Sequence, residues 1–220
     1  MHPDTMRLID RWVGIPLCFF ASFWPLKKAQ ADSNSTLATN IPPPDTIVFI
    51  LIAEIGALVV AYPAIKETRK QHPKSRICFI TAPAGLQTLE LMGFEKEDIF
   101  LLETSSIKSL LKGIVNIRSH FKGKRVSAIV LEPFTRFSTL LSAWIGASKR
   151  IGCYRFLNEG VYLGNILTHR LVYNPHLHMS QTYFALAKAL IEPDSAKPLL
   201  KEHIPSQIKN RLKINIPEKE

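Results

Sequence analysis

The sequence lacks the common signatures of nucleotide, hydrolase and zinc sites. It contains no P-loop, GxGxxG, GxSxG, HExxH or CxxC pattern, so none of the chemistries built on those motifs has local support. It has only three cysteines, Cys18, Cys78 and Cys153, which cannot all pair with one another. Two of them fall in apolar, strand-like runs. This is typical of reduced, buried thiols in a cytoplasmic protein.

Acidic residues are scarce relative to basic ones. The chain has 18 Asp and Glu against 28 Lys and Arg, a formal net charge of +10. Residues 1–45 hold four residues of each sign, so the excess lies on the rest of the chain, which should favour anionic partners. Anionic lipid and phosphorylated sugars both qualify. Nucleic acid is not expected, because no groove-reading motif or aromatic platform supports it.

The 220 residues are enough for one domain with extensions. Small polar residues and then prolines mark 29–45 as a linker. We therefore divide the chain into an N-terminal segment (1–28), this linker, an α/β domain (46–195) and a basic, proline-broken tail (196–220). No internal repeat is present.

The N-terminal segment contains an apolar run, WVGIPLCFFASFWPL at 12–26. It is only 15 residues long by these bounds, whereas a membrane-spanning helix needs about 20. Tryptophans near its ends and flanking basic residues favour a half-inserted interfacial anchor. Two alternatives stay open: a signal peptide that ends near Ala29-Gln30-Ala31, and a hydrophobic segment that packs against the protein itself.

The stretch 46–81 predicts the opening unit of a parallel α/β sheet. An apolar run at 47–53 is followed by Gly56, a helix-period segment at 57–71 and a second apolar run at 77–81. Strand, glycine turn, helix and strand in this order form a βαβ unit. Its first turn and the start of its helix should face a ligand site near residues 53–58.

The rest of the domain continues the alternation of strands and helices. The pattern predicts a short helix at 85–92, a strand at 99–102, a helix capped by Ser105, a strand at 126–131, a helix at 135–145, a strand at 150–153 and a helix at 181–191. Residues 159–178 have few helix signals and predict loops with a short hairpin. The expected fold is a Rossmann-like parallel sheet with flanking helices.

The helix after Ser105 combines an apolar face with a basic one. Its apolar positions are Ile107, Leu110, Leu111, Ile114, Ile117 and Phe121. From 105 to 131 there are six Lys and Arg residues and no acid. The basic residues Lys108, Lys112 and Lys122 form either an ordinary solvated surface or a surface for anionic head groups.

Three charged residues follow the strands whose ends should form the site. Glu54 ends the first strand, where a carboxylate could act as general base or could cap the following helix. Glu132 ends the fourth strand, and Arg136, one turn into the next helix, could hold a carboxylate or phosphate. Alternatively, Glu132 and Arg136 pair with each other. His176 and His178 would share one face of a strand, but no Asp, Glu or Cys at ligand spacing accompanies them, so no metal site is expected.

Several segments together resemble glycosyltransferase family 9, the ADP-heptose–lipopolysaccharide heptosyltransferases. They are IAEIGALVVAYPAIKETRKQHP (52–73), LEPFTRFSTLLSAWIGASKRIG (131–152), NEGVYLGNILTHRLVYNPHLH (158–178) and, for one subgroup, DRWVGIPLCF (10–19). Gly56, Pro63, Arg136, Gly146 and Gly152 match the family pattern.

The resemblance implies a two-domain GT-B fold, of which this chain would supply the N-terminal, acceptor-side domain, with 196–220 beginning the link to a donor domain that the sequence does not include. It also implies which residues would form the site. Glu54 would be the catalytic base, and Gly56, Ala57, Glu132, Arg136, Asn158 and Glu159 would bind substrate. The family's aspartate after the glycine, its lysine and its second aspartate fall on Ala57, Leu51 and Val130.

The implied function is transfer of a sugar from an ADP-heptose-like donor to a lipid-linked anionic glycan, without cofactor or metal. The expected location is the cytoplasmic face of the bacterial inner membrane, as a peripheral protein. The missing donor half, together with the three lost positions, predicts that this chain alone is inactive. They also keep open a non-catalytic alternative, a glycan-binding, anionic-lipid-binding or scaffold protein.

Overall fold

The computed structural model describes residues 12–23, 43–52, 54–156 and 161–192. Most of the predicted linker, Asn158, Glu159 and the tail from 196 lie outside the described residues, so those predictions stay untested.

The described strands form one six-stranded, all-parallel sheet, which confirms the predicted Rossmann-like fold. The strands are β1 (Thr46–Ile50), β2 (Arg76–Thr81), β3 (Ile99–Leu101), β4 (Val126–Val130), β5 (Lys149–Phe156) and β6 (His169–Tyr173). Their order across the sheet is β3-β2-β1-β4-β5-β6. In the centre, Ile47 of β1 lies opposite Ile77 on one side and Ser127 on the other.

Besides two short 3₁₀ helices, six α-helices accompany the strands in the described ranges. They are α1 (Gly14–Phe23), α2 (Ile55–Gln71), α3 (Leu86–Leu91), α4 (Ile107–Phe121), α5 (Arg136–Trp144) and α6 (Met179–Lys188). The helices α2, α3 and α6 cover one face of the sheet and α4 and α5 the other, so that β1 and β4 are buried on both faces. This explains why these strands are almost continuously apolar rather than alternating.

Two local predictions are wrong. The segment 159–178 contains no hairpin in its described part, because β6 pairs with β5 in parallel. The cap of α4 is Ser106 instead of Ser105: the Ser106 hydroxyl accepts a hydrogen bond from the Ser109 amide at 3.1 Å. An N-cap residue takes extended backbone angles, as Ser106 does, and a cap one residue later starts the helix one residue later.

The C-terminal end of α6 is held at the amino edge of the sheet. The Lys149 ammonium donates to the carbonyl oxygens of Leu190 and Glu192, both at 3.0 Å. The His169 ring also contacts the Glu192 carbonyl, at 2.9 Å. A cation stabilises a helix C-terminus because the last carbonyls lack partners within the helix. Residues that begin β5 and β6 therefore fix where α6 ends.

Helix α1 packs against α5 by one side only. On that side Cys18 is fully buried, and the Ser22 hydroxyl accepts a hydrogen bond from the Asn165 amide at 3.0 Å. The outer side exposes apolar residues: Trp12, Val13, Ile15, Leu17, Phe19, Phe20 and Phe23. Contact with the protein, one of the three predicted roles of this segment, is thus observed for half of the helix. No helix in the described ranges is long and apolar enough to cross a membrane.

Gly164 provides a test of this contact. Its φ is +56°, and a Cβ there would lie 1.9 Å from the Ser22 hydroxyl and 2.9 Å from the Cys18 carbonyl oxygen. We predict that Gly164→Ala separates α1 from the body and exposes the Cys18 thiol. Each 1.4 kcal/mol of lost docking free energy should speed labelling of Cys18 about tenfold, as measured by mass spectrometry after a thiol reagent.

Gly123→Ala is the matched control. Gly123 also has a positive φ, +83°, but a Cβ there would meet nothing within 4 Å. Both variants carry the strain of a left-handed alanine, about 1–2 kcal/mol, and only Gly164→Ala disturbs α1. Equal labelling of Cys18 in the two variants would show that α1 is not held at Gly164.

Candidate functional site

The strand order creates a crevice between the ends of β1 and β4. The chain leaves β1 toward β2 and β3 and later returns to place β4 on the other side of β1. In open parallel sheets the loops after two such strands diverge, and ligands bind between them. Here those loops are 51–54 and 131–135, which carry the predicted residues Glu54 and Glu132.

Glu132 joins the two sides of this crevice. Its side chain is 8% exposed. One carboxylate oxygen, Oε1, accepts a hydrogen bond from the Ile52 amide at 2.8 Å, and the other, Oε2, accepts one from the Ser138 hydroxyl. Hydrogen bonds to a charged group are about twice as strong as neutral ones. Glu132 therefore fixes the β1–α2 turn to the start of α5, and its role is to position the site.

Glu54 occupies the position immediately before α2. Its backbone is extended, with φ −125° and ψ 104°, and its side chain makes no capping hydrogen bond. The capping interpretation of Glu54 is therefore not supported. The residue is exposed at the carboxyl edge of the sheet, where its carboxylate can accept a proton from a bound hydroxyl.

Gly56 differs from the other glycines that match the family pattern. Gly146 has a φ of +81°, and a Cβ on Gly152 would lie 3.1 Å from the Leu167 side chain, so both have structural reasons to be glycine. A Cβ on Gly56 would meet nothing within 4 Å. The fold itself does not require this glycine, and the open space lies at the N-terminus of α2, where backbone amides favour anions.

Ala57 packs against the core and offers no polar side-chain group to the crevice. Its methyl group is partly buried against the cluster formed by α2, α3, α6 and the sheet. The position that corresponds to the family's aspartate therefore offers no proton acceptor. Leu51 and Val130, at the other two lost positions, are also buried apolar residues.

Arg136 begins α5 at the same edge. It is half-buried, and its Nε donates to the Tyr162 carbonyl oxygen at 3.3 Å. This bond turns the guanidinium toward the loop before β6. Glu132, for its part, is oriented by the Ile52 amide and the Ser138 hydroxyl.

The turn between Glu132 and Arg136 has an unusual backbone. Phe134 has a φ of +61°, and among the described residues it is the one non-glycine with a positive φ. Its ring packs edge-on against Tyr173 of β6, with the ring centroids 5.4 Å apart. Such a conformation costs on the order of 1–3 kcal/mol, and residues of this kind concentrate at functional sites.

Tyr183 of α6 is a buried core residue that interacts electrostatically with Glu54 and Glu132, and the sequence did not predict it. It is 1% exposed. Burial raises the pKa of its phenol, and the negative charges of Glu54 and Glu132, with Cys153 and Tyr173, raise it further. These effects place Tyr183 near both carboxylates and keep its hydroxyl protonated. A tyrosine inside an apolar, helix-period segment carries no signal that separates it from ordinary core residues.

Among the described residues, the cysteines and histidines form no second reactive site. All three cysteines are buried thiols, and burial, followed by the charge of Asp98, raises the pKa of Cys78 to about 12, which leaves it protonated. His178 does not lie on a strand: its ring accepts a hydrogen bond from the Ser180 amide and caps α6. The described ranges contain no group of three or more potential metal ligands.

Solved structures share this fold, although no protein-family model matches the sequence and no curated protein matches it. ADP-heptose lipopolysaccharide heptosyltransferase II of E. coli aligns with a TM-score of 0.55 at 16% identity, over 79% of this chain and 47% of that one. The heptosyltransferase WaaC of E. coli, solved with ADP-2-deoxy-2-fluoro heptose, gives 0.53 at 10% identity, over 69% and 50%.

A glycosyltransferase of family 9 from Veillonella parvula gives a TM-score of 0.53 at 18% identity, over 67% of this chain and 41% of that one. The chain thus spans about half the length of the structures that it matches. The resemblance seen in the sequence is confirmed in the fold: the chain has the Rossmann-like α/β fold found in ADP-heptose heptosyltransferases and in a glycosyltransferase of family 9.

Proposed function

We propose that this chain is the acceptor-side part of a heptosyltransferase-like glycosyltransferase. It binds a lipid-linked, anionic glycan of the lipopolysaccharide core or a related glycolipid in the crevice between β1 and β4. The observation that carries this proposal is the open space at Gly56. The space adjoins the N-terminus of α2 and the exposed carboxylate of Glu54, and no contact among the described residues requires a glycine there.

The chemistry of the crevice suits a phosphorylated sugar. Backbone amides at the start of α2 and the Arg136 guanidinium attract a phosphate. Glu54 could then receive the proton of the attacking hydroxyl during direct displacement at the sugar carbon. Glu132 acts indirectly, because it holds the backbone of the turn that presents Glu54 and Gly56.

A nucleotide-sugar donor would bind largely outside the residues described here. WaaC has been solved with ADP and with an ADP-heptose analogue, and the chain covers about half of that protein. We propose that a donor-binding part completes the site. The proposed location is the cytoplasmic face of the bacterial inner membrane, where the exposed apolar side of α1 would rest in the lipid interface.

A non-catalytic function is the alternative, and Ala57 is the observation that favours it. With a methyl group packed on the core at this position, the site keeps features for binding an anionic glycan but loses the expected base. Under this alternative the chain binds the same ligand without transferring a sugar to it.

We predict that Gly56→Ala separates ligand binding from stability. Because a Cβ at this position meets no protein atom within 4 Å and alanine favours a helix, the free energy of unfolding should stay equal or rise by about 0.5–1 kcal/mol. Binding of a phosphorylated, heptose-deficient core glycolipid, measured by calorimetry, should nevertheless weaken. Unchanged binding would place the ligand away from α2.

A second prediction concerns Arg136. Arg136→Ala should weaken binding of the same glycolipid by about 1.5–3 kcal/mol, the value of a hydrogen bond to a charged group. Arg69→Ala, which removes an exposed guanidinium from the last turn of α2, at the end of that helix away from the crevice, is the control and should bind normally. A similar loss in both variants would indicate a general effect of net charge.

The third prediction is that purified residues 1–220 transfer no sugar. Holding donor and acceptor in line can lower a barrier by about 7–11 kcal/mol, and Ala57 supplies no base. Incubation with ADP-heptose and the heptose-deficient acceptor should give no product above background by mass spectrometry. Turnover that disappears in Glu54→Gln would overturn this prediction and identify Glu54 as the base, whereas turnover that survives would reject both assignments.

A further inference from the structure

Helix α4 has a second apolar surface that the core does not use. The core buries Ile117 and Phe121 and, in part, Leu110 and Ile114. Ile107, Leu111 and Val115 instead point outward, with 60%, 57% and 57% of their surface exposed. They are spaced four residues apart, so they form one continuous stripe along the helix. The sequence had assigned Ile107 and Leu111 to the same apolar face as the core residues.

The position of Arg118 shows which way this stripe faces. On a helical wheel Arg118 falls within the stripe, between Ile107 and Leu111. Its guanidinium lies 5.1 Å from the centre of the Trp144 ring and donates to the Trp144 carbonyl. Trp144 ends α5 and is 48% exposed. The stripe therefore lies on the side of α4 next to α5, the helix that also carries α1.

The charges beside the stripe are all of one sign. Lys108 and Lys112 flank it on the wheel, and both are exposed. Lys122 and Lys124 follow at the end of the helix, and 105–131 contains no acidic residue. Exposed aliphatic side chains beside lysines are the pattern of a helix that rests in the interface of an anionic bilayer.

We propose that α4 is a second membrane-contacting helix. Its stripe of Ile107, Leu111 and Val115 enters the lipid interface, while Lys108 and Lys112 bind anionic head groups. This inference extends the proposed function, because α4 begins directly after β3 and its amino end thus lies at the edge of the sheet that carries the crevice. Lipid at this surface would bring the head group of a lipid-linked acceptor beside the site.

A second copy of the chain fits this surface less well than a bilayer does. Two-fold dimers bring the same patch of each subunit together, so the lysines of one α4 would approach those of the other without an acid between them. Anionic head groups neutralise the same charges. The apolar stripe is also more stable in lipid, because its aliphatic side chains are removed from water there.

The test is partitioning of the full chain onto unilamellar vesicles, measured by co-sedimentation. Vesicles contain phosphatidylglycerol or only phosphatidylcholine. Leu111→Ser should weaken binding to the anionic vesicles about fivefold, and replacing Lys108 and Lys112 by Gln should weaken it about fivefold per lysine at low salt. Because these side chains are exposed, the unfolding temperature should not change.

Matched controls lie on the opposite face of the sheet. Leu91→Ser removes a leucine of α3 that is 63% exposed, and replacing Lys66 and Lys70 by Gln removes an equally spaced, exposed lysine pair from α2. Both controls should bind like the unaltered chain. Equal losses in the controls and the α4 variants, or equal binding to neutral vesicles, would overturn the proposal.

The contribution of α1 is separated by repeating the series in a chain that carries Phe20→Ser and Phe23→Ser. Binding to anionic vesicles should persist there and be lost on adding Leu111→Ser. Binding that is abolished by the α1 changes alone would reject α4 as a lipid contact. If sedimentation velocity shows a dimer, and Leu111→Ser converts it to a monomer, the surface is assigned to contact with a second copy of the chain. Vesicle binding needs no acceptor glycan, so its failure and that of the proposed function are distinguishable.

Discussion

The buried carboxylate of Glu132 is the interaction on which the candidate site depends. It bridges the Ile52 amide after β1 and the Ser138 hydroxyl in α5, and these two elements diverge from adjacent strands. Without it, the β1–α2 turn would present an unpartnered amide inside the protein, which costs about 1–3 kcal/mol. The arrangement of Glu54, Gly56 and Arg136 around one crevice follows from this bridge. Phe134 can hold its left-handed backbone in the same turn because both ends of the turn are fixed.

The structure places the predicted site residues, Glu54 as base and the others as substrate-binding, in different surroundings. Glu132 is hydrogen-bonded to other groups of the protein, and Ala57 packs against the core. Both residues therefore support the site from the protein interior. Glu54 and Gly56 face open space. Arg136 is half-buried, and its Nε donates to the Tyr162 carbonyl oxygen. The exposure of Gly56 is what allows a variant there to report on a ligand with little effect on folding.

The sequence predicted the central strands and the edge strand β3 closely, but it missed the edge strand β6. Nearly all residues of β1, β2 and β4 are buried, and these strands therefore form largely apolar runs. In contrast, β6 is a short edge strand, HRLVY, only partly buried, and its parallel partner cannot be inferred from its composition. The role of Glu132 was equally hidden, because its partner Ile52 lies 80 residues away. The stripe on α4 was assigned to the core because helical periodicity shows which positions are apolar. It does not show whether another part of the protein packs against them.

The anchoring of α6 by Lys149 fixes Glu192 at the amino edge of the sheet. Since α6 follows a parallel strand, its end lies at the amino edge of the sheet, away from the crevice. The longest strand, β5, has eight residues, which at about 3.3 Å each corresponds to a height of about 26 Å. Any further segment that contributed to the crevice would need about eight to ten extended residues to climb back along the outside of the sheet. A donor-binding part would thus be connected at one edge of the sheet and bind at the opposite edge. Closure around a ligand would then be a rotation about a hinge at the edge away from the crevice.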